Sequence, residues 1–181
     1  MVEPIRLSPD DARALIEYNQ AVFERYVRQV RRIPRRGAFR PRGIGHESWF
    51  ETLVHILHVH EVWLVYIVHG KNRDRDLEPL FKDSRRKPSD WTEFAEYSAR
   101  VWAGVRATAR GLTPRFLGRR VRAPWMPGTY TASDGVLQTT FEQAHHLGEI
   151  IGSLWQEDRE PAEMTWLDTR RPLGRARGRR R

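Results

Sequence analysis

The chain has no cysteine, and lysine occurs only at positions 71, 82 and 87. The first absence excludes disulfides, a thiolate metal ligand and a cysteine nucleophile, so any thiol chemistry must use a thiol supplied by a cosubstrate. The second means that nearly all positive charge is arginine. Long apolar runs are also missing: the most apolar region, Trp49 to Val68, is broken by Glu51, His55, His58, His60 and Glu61, short of the ~18 uninterrupted residues that a membrane span needs. The first residues, MVEPIRLSPDD, lack the apolar core of a signal peptide, so a cytoplasmic protein with no membrane partner is expected. No internal repeat is visible.

What is present is enough for a packed domain. With 181 residues, 39% hydrophobic, and seven Trp, one domain over residues 1–168 is expected, followed by an Arg-rich tail, 169–181, too poor in apolar side chains to fold. The formal charge of +9 sits largely in that tail. Seven arginines (170, 171, 175, 177, 179, 180 and 181) follow Asp168 with no acid, and without them the charge falls from +9 to +2. Arg25, Arg28, Arg31 and Arg32 line one face of the first helix, most simply a solvated face. No helix-turn-helix, zinc finger or aromatic-basic strand motif accompanies them, so a nucleic-acid partner is not favoured.

Four long helices are expected, over about 9–33, 46–69, 89–110 and 134–157. Ser8, Pro9, Asp10 and Asp11 form a capped and charge-matched start for the first. Ala12, Leu15, Ile16, Asn19, Val22, Phe23, Tyr26, Val27 and Val30 keep its period, and Pro34 stops it. The second is apolar nearly all round, the mark of a helix buried on most sides, with Gly70 as its C-terminal cap. Ser89 and Gly111 bound the third, and Ser133 or Asp134 caps the fourth. Residues 71–87 read as a loop with one short helical turn, 113–134 as a hairpin or ordered loop, and Met164 to Leu167 as a return onto the bundle. Connectors of ten to twenty residues permit crossovers. The fold class is therefore all-α: a four-helix bundle with long crossover connections and short extra elements before the last helix.

The fourth helix, VLQTTFEQAHHLGEIIGSLWQ, carries the chemistry. Leu137, Phe141, Ala144, Gly148, Ile151 and Trp155 recur at three- and four-residue steps, giving one helix face. Glu142 and His146 stand four apart, so carboxylate and imidazole lie one turn above the other and can point at one divalent ion. Such a pair is often only a surface hydrogen bond, and a third ligand must come from elsewhere. His55, inside the second helix, is the strongest source, because a buried imidazole needs a partner. His58, one turn along, is the second choice; His60 and His69 are expected to be structural or exposed.

Two phrases carry a family resemblance: His55-Ile56-Leu57 … Glu61-Val62-Trp63-Leu64 on the second helix, and His145-His146-Leu147-Gly148-Glu149-Ile150 on the fourth. The chain resembles the DinB-like superfamily, which includes bacillithiol and mycothiol S-transferases and mycothiol-dependent maleylpyruvate isomerases. The resemblance runs over about residues 8–168. It implies a divalent metal bound by one His of the second helix and two residues four apart on the fourth: His55, Glu142 and His146. Many members have His at the position of Glu142; the isomerase branch has Glu. Carboxylate suits zinc, nickel, manganese or iron, with zinc or nickel expected first. Three protein ligands leave room for substrate, as in a catalytic site.

The expected activity is thiol S-transfer, or related hydrolysis or isomerisation, with a low-molecular-weight thiol and a small-molecule electrophile as partners. His145 and Glu149 are expected to orient a ligand or shuttle a proton rather than bind the ion. Two other classes stand beside this reading: a nucleic-acid-associated stress protein using its Arg-rich surfaces, and a metal-free helical bundle with buried His. A homodimer is left open.

Overall fold

A computed structural model of the protein describes residues 5–43, 45–82 and 87–169. The tail expected to be disordered lies almost entirely outside the described residues. The chain is a bundle of four long helical segments: α1 (Pro9–Arg31), α3 (Trp49–His60) with its continuation to His69, α5 (Trp91–Arg110) and α7 (Ala132–Gln156). Short helices α2 (Arg35–Ala38), α4 (Asp74–Lys82) and α6 (Pro114–Leu117) fill the connectors. Helices α1 and α3 each pack against both α5 and α7. The first and second long helices therefore lie across a diagonal, a crossover that the 17-residue loop between Arg31 and Trp49 permits.

The helix starts follow side-chain capping chemistry. Ser8 and Asp11 form a reciprocal capping box on α1, and Ser48 accepts from the Glu51 amide to start α3. Two expected caps are displaced. Asp90, not Ser89, caps α5 by accepting from Thr92 and Glu93; Ser89 instead bonds the Glu93 carboxylate. Thr131 caps α7 in a box with Asp134. Ser133 lies within the helix, where its buried hydroxyl donates to the Leu117 carbonyl. Thr131 wins because only the residue three before Asp134 can exchange both bonds with it.

Residues Trp49–His69 are long and apolar enough to cross a membrane by composition, with mean hydropathy 1.2. In the fold they form the core strut, 72% buried inside the protein. The strut is not a uniform α-helix. After His60 it widens to a π-helix over Glu61–Tyr66 and tightens to a 3₁₀ turn over Ile67–His69. Within this segment the Leu64 carbonyl accepts from Thr108 Oγ1 at 2.7 Å. Gly70, at φ +77°, ends the segment in the left-handed cap expected of it.

Of the region read as a loop, Asp74–Lys82 is helical, with Pro79 inside it. Ahead of α7, strands β1 (Arg120–Val121) and β2 (Tyr130–Thr131) pair antiparallel, Arg120 with Thr131 and Val121 with Tyr130, the hairpin alternative foreseen. After α7 the chain returns across α1: Tyr26 and Tyr18 donate to the carbonyls of Ala162 and Met164 at 2.6 and 2.7 Å, and Tyr18 meets Trp166 edge-on. The apolar face read on the fourth helix points largely outward, although Ile151 packs against the core. Phe141 and Trp155 are 66% and 58% exposed, whereas α7 packs inward through Val136, Thr139, Gln143, His146, Leu147, Ile150 and Leu154.

Candidate metal centre

Three imidazoles from three segments converge where α3, α7 and the loop before α3 meet. His55 comes from the middle of α3, His146 from the buried face of α7, and His46 from the loop. The His46 and His55 rings stack at 3.6 Å between centroids. His146 stands edge-on to His55 at 4.5 Å and tilted to His46 at 5.0 Å. One ring nitrogen of each lies within 4.8 Å of the others. Nitrogens bound to one ion at about 2.1 Å stand roughly 3–4 Å apart, so these three are near binding distance.

The protonation pattern suits a cation site. His146 Nδ1 lies 3.0 Å from Glu149 Oε2 and donates to it, the carboxylate–histidine relay that fixes a ligand's tautomer. On its other side, Glu142 Oε2 faces His146 Nε2 at 3.4 Å. Either a ring proton or a bound cation would satisfy this pair of atoms. Gln138 donates to the other oxygen of Glu142 at 2.8 Å and steadies it. Burial, followed by the neighbouring imidazoles, pushes the His55 pKa down to about 3. Burial and His146 also lower that of His46. Both rings therefore keep a nitrogen lone pair at neutral pH, as ligands must. The imidazole donor set fits a divalent transition-metal ion.

The structure thus joins His55 and His146, expected together, and adds His46, which the sequence reading had taken as the first residue of a helix. Glu142 is placed against His146 Nε2 but is not part of the compact three-histidine group. His145 is 67% exposed and stands 3.6 Å from Glu149 Oε1. Glu149 thereby touches both histidines of the His145-His146 pair.

His46 is held by a strongly anchored loop. Arg42 stacks on Trp49 at 3.4 Å and pairs with Glu157, the residue that caps the end of α7, at 3.0 Å. Trp49 Nε1 donates to Ser153 Oγ at 3.0 Å. Gly45 has φ +44°, and a Cβ there would meet Glu149 Oε2 at 2.5 Å. Glu47, though not glycine, also sits at positive φ, +61°, a conformation that surrounding contacts must hold. One signal could have found this ligand: Ser48 followed by Glu51 is a cap signature, and it leaves His46 outside the helix.

The remaining histidines divide as expected. His60 is fully buried, donates from Nδ1 to the Ile56 carbonyl and packs on Trp102; burial lowers its pKa to about 4. His69 hydrogen-bonds Thr108 Oγ1 at 2.8 Å. His58 lies outside the three-ring group but lines the same cavity, of about 510 Å³, as His46 and His55. Burial, then Lys87, pushes its pKa to about 4. The polar floor of that cavity is Glu61, whose buried carboxylate accepts from Tyr97 at 2.9 Å. A wider groove of about 670 Å³ beside Arg25, Arg28, Arg32 and Arg159 contains no histidine.

Fold and site together define a helical-bundle protein with a cluster of three histidines that could hold a metal ion, two of them, His46 and His55, lining a cavity. The chain belongs to the DinB superfamily, whose sequence profile matches residues 9–150. No functionally curated protein matches it.

Proposed function

We propose that the protein is a metal-dependent enzyme that transfers a low-molecular-weight thiol to an electrophilic small molecule. The observation that carries this reading is the convergence of His46, His55 and His146, the first two of which line the 510 Å³ cavity. Those three residues would hold the ion, with Glu142 beside His146 as a further oxygen donor. A bound divalent cation lowers the pKa of a thiol or water beside it, which supplies a nucleophile at neutral pH.

The protein's own groups do the rest. Glu149 fixes the His146 tautomer. His145, exposed and next to Glu149, is placed to take the thiol proton and pass it to solvent. Glu61 and Tyr97 offer an acceptor and a hydroxyl to polar groups of the substrate. In the transfer, the sulfur forms a bond to the electrophilic carbon, and the leaving group departs with its bonding pair. The chain has no cysteine, so a supplied thiol is the only sulfur nucleophile.

The test is turnover of 1-chloro-2,4-dinitrobenzene with a set of small thiols, in protein loaded with zinc, nickel or manganese. The expected result is metal-dependent thioether formation that falls at least 100-fold in His55→Ala. Thioether formation at the uncatalysed rate with every thiol and metal would contradict the reading.

A further inference from the structure

A file of aromatic rings leads out of the cavity. His58, one turn along α3 from His55, meets Phe81 edge-on at 5.1 Å between centroids. Phe81 meets Trp125 at 5.5 Å, and Trp125 meets Trp63 at 6.3 Å. Trp63 is buried, but Phe81 and Trp125 remain 51% and 49% exposed. They come from α4 and from the β1–β2 loop, two segments far apart in sequence. Large rings brought edge to edge and left half open present unused apolar area, which marks a binding surface.

The direction of the file is informative. Phe81, Leu80 and His58 line the same cavity as His46 and His55. The ring wall thus begins beside the metal-ligand candidates, reaches the surface at half-exposed Phe81 and Trp125, and is backed by buried Trp63. Three residues of helix rise separate His55 from His58, and one ring contact separates His58 from Phe81, a span of roughly 10 Å. A ring with a reactive substituent fills that length; a two-carbon electrophile does not.

We propose that Phe81 and Trp125 form the acceptor subsite for an aromatic or planar apolar body of the substrate, whose reactive atom then lies at the His46, His55 and His146 end. The chemical step rests on the reading under Proposed function. Binding of the aromatic body does not, and it is measured separately.

Full-length protein, metal-free and metal-loaded, is titrated with 1-anilinonaphthalene-8-sulfonate. The expected result is one site whose Kd weakens about tenfold in Phe81→Ala and in Trp125→Ala and recovers most of its strength in Trp125→Phe. Metal content and helical circular dichroism should match the parent. With 1-chloro-2,4-dinitrobenzene the same two Ala variants should raise KM about tenfold, and turnover of iodoacetamide should not change. Equal probe affinity in the parent and both variants overturns the subsite whatever the activity. So does dissociation of a dimer in the variants with no change in probe affinity, which would make the rings an interface between chains. Probe binding that depends on both rings, with no turnover by the metal-loaded parent, supports the subsite and counts against the proposed reaction alone.

Discussion

Each histidine in this bundle is defined by what its second nitrogen does. His60 gives one nitrogen to the Ile56 carbonyl and leaves Nε2 buried without a partner among the described residues. Burial therefore resists its protonation and lowers its pKa to about 4, against 6.5 in the unfolded chain. The unfolded state binds the proton first. The stability linked to this ring is full above pH of about 6.5 and is lost as pH falls towards 4. The urea midpoint of metal-free protein should drop between pH 7 and pH 5, and less steeply in His60→Gln. Parallel profiles for the two proteins would show that His60 does not titrate in this window. At this scale His146 was legible from its four-residue spacing to Glu142, and His55 from its place inside an apolar helix and from the family resemblance. His46 was not, because its place depends on loop dihedrals at Gly45 and Glu47 and on Arg42 stacked over Trp49. No periodicity encodes these.

Helices can be read for their existence more securely than for the face they bury. The apolar stripe of Phe141 and Trp155 has helical period, yet α7 buries a neighbouring stripe that includes Thr139, Gln143 and His146. Gln143 donates to the Asn19 carbonyl of α1, and polar packing of this kind is invisible to a count of apolar residues. Two glycines of α7 should respond oppositely to a methyl group. A Cβ at Gly135 would lie 2.9 Å from Val68 and 3.4 Å from Trp63, whereas one at Gly148 meets nothing within 4 Å. Gly135→Ala should destabilise by about 1–3 kcal/mol through overpacking. Gly148→Ala should stabilise by about 0.5–1 kcal/mol through helix propensity. Urea denaturation measures both, and equal effects would contradict this packing of α7 on the π segment. Gly45→Ala should act on the site instead, displacing Glu149 and weakening metal affinity, as read by competition with a chelating dye.

At the scale of the whole molecule, the sequence pattern carried the number of long helices, the crossover and the return of the chain after α7, but not the short helices α2 and α6. The former follow from connector lengths and from proline and glycine stops. The π segment was not legible, since Glu61–Tyr66 keeps an apolar pattern compatible with a plain helix; the segment packs against α5 and α7. The return segment is part of the fold: Gln29 bonds both the Glu160 carbonyl and the Ala162 amide, and Tyr18 and Tyr26 bond its backbone. Truncation after Thr169 should melt within a few degrees of full length. Truncation after Arg159 should lower Tm by much more, because it strips these bonds and uncovers Tyr26. Equal melting of the two truncations would show that the return segment contributes nothing.

The central claim is that this bundle holds one divalent ion between α3, α7 and the His46 loop. It is tested most directly by elemental analysis of protein purified without a histidine tag and exposed in turn to zinc, nickel and manganese, with variants alongside. The account predicts about one ion per chain in the parent, in His58→Ala and in His60→Ala, and loss of most metal in His46→Ala, His55→Ala and His146→Ala. Glu142→His should keep the ion and alter which metal is preferred. Loss of metal in Glu142→Ala with full occupancy in His46→Ala would assign the third ligand to the carboxylate. A parent that takes up none of the three metals, or full occupancy in all three histidine variants, would contradict the metal centre and remove the basis of the proposed chemistry.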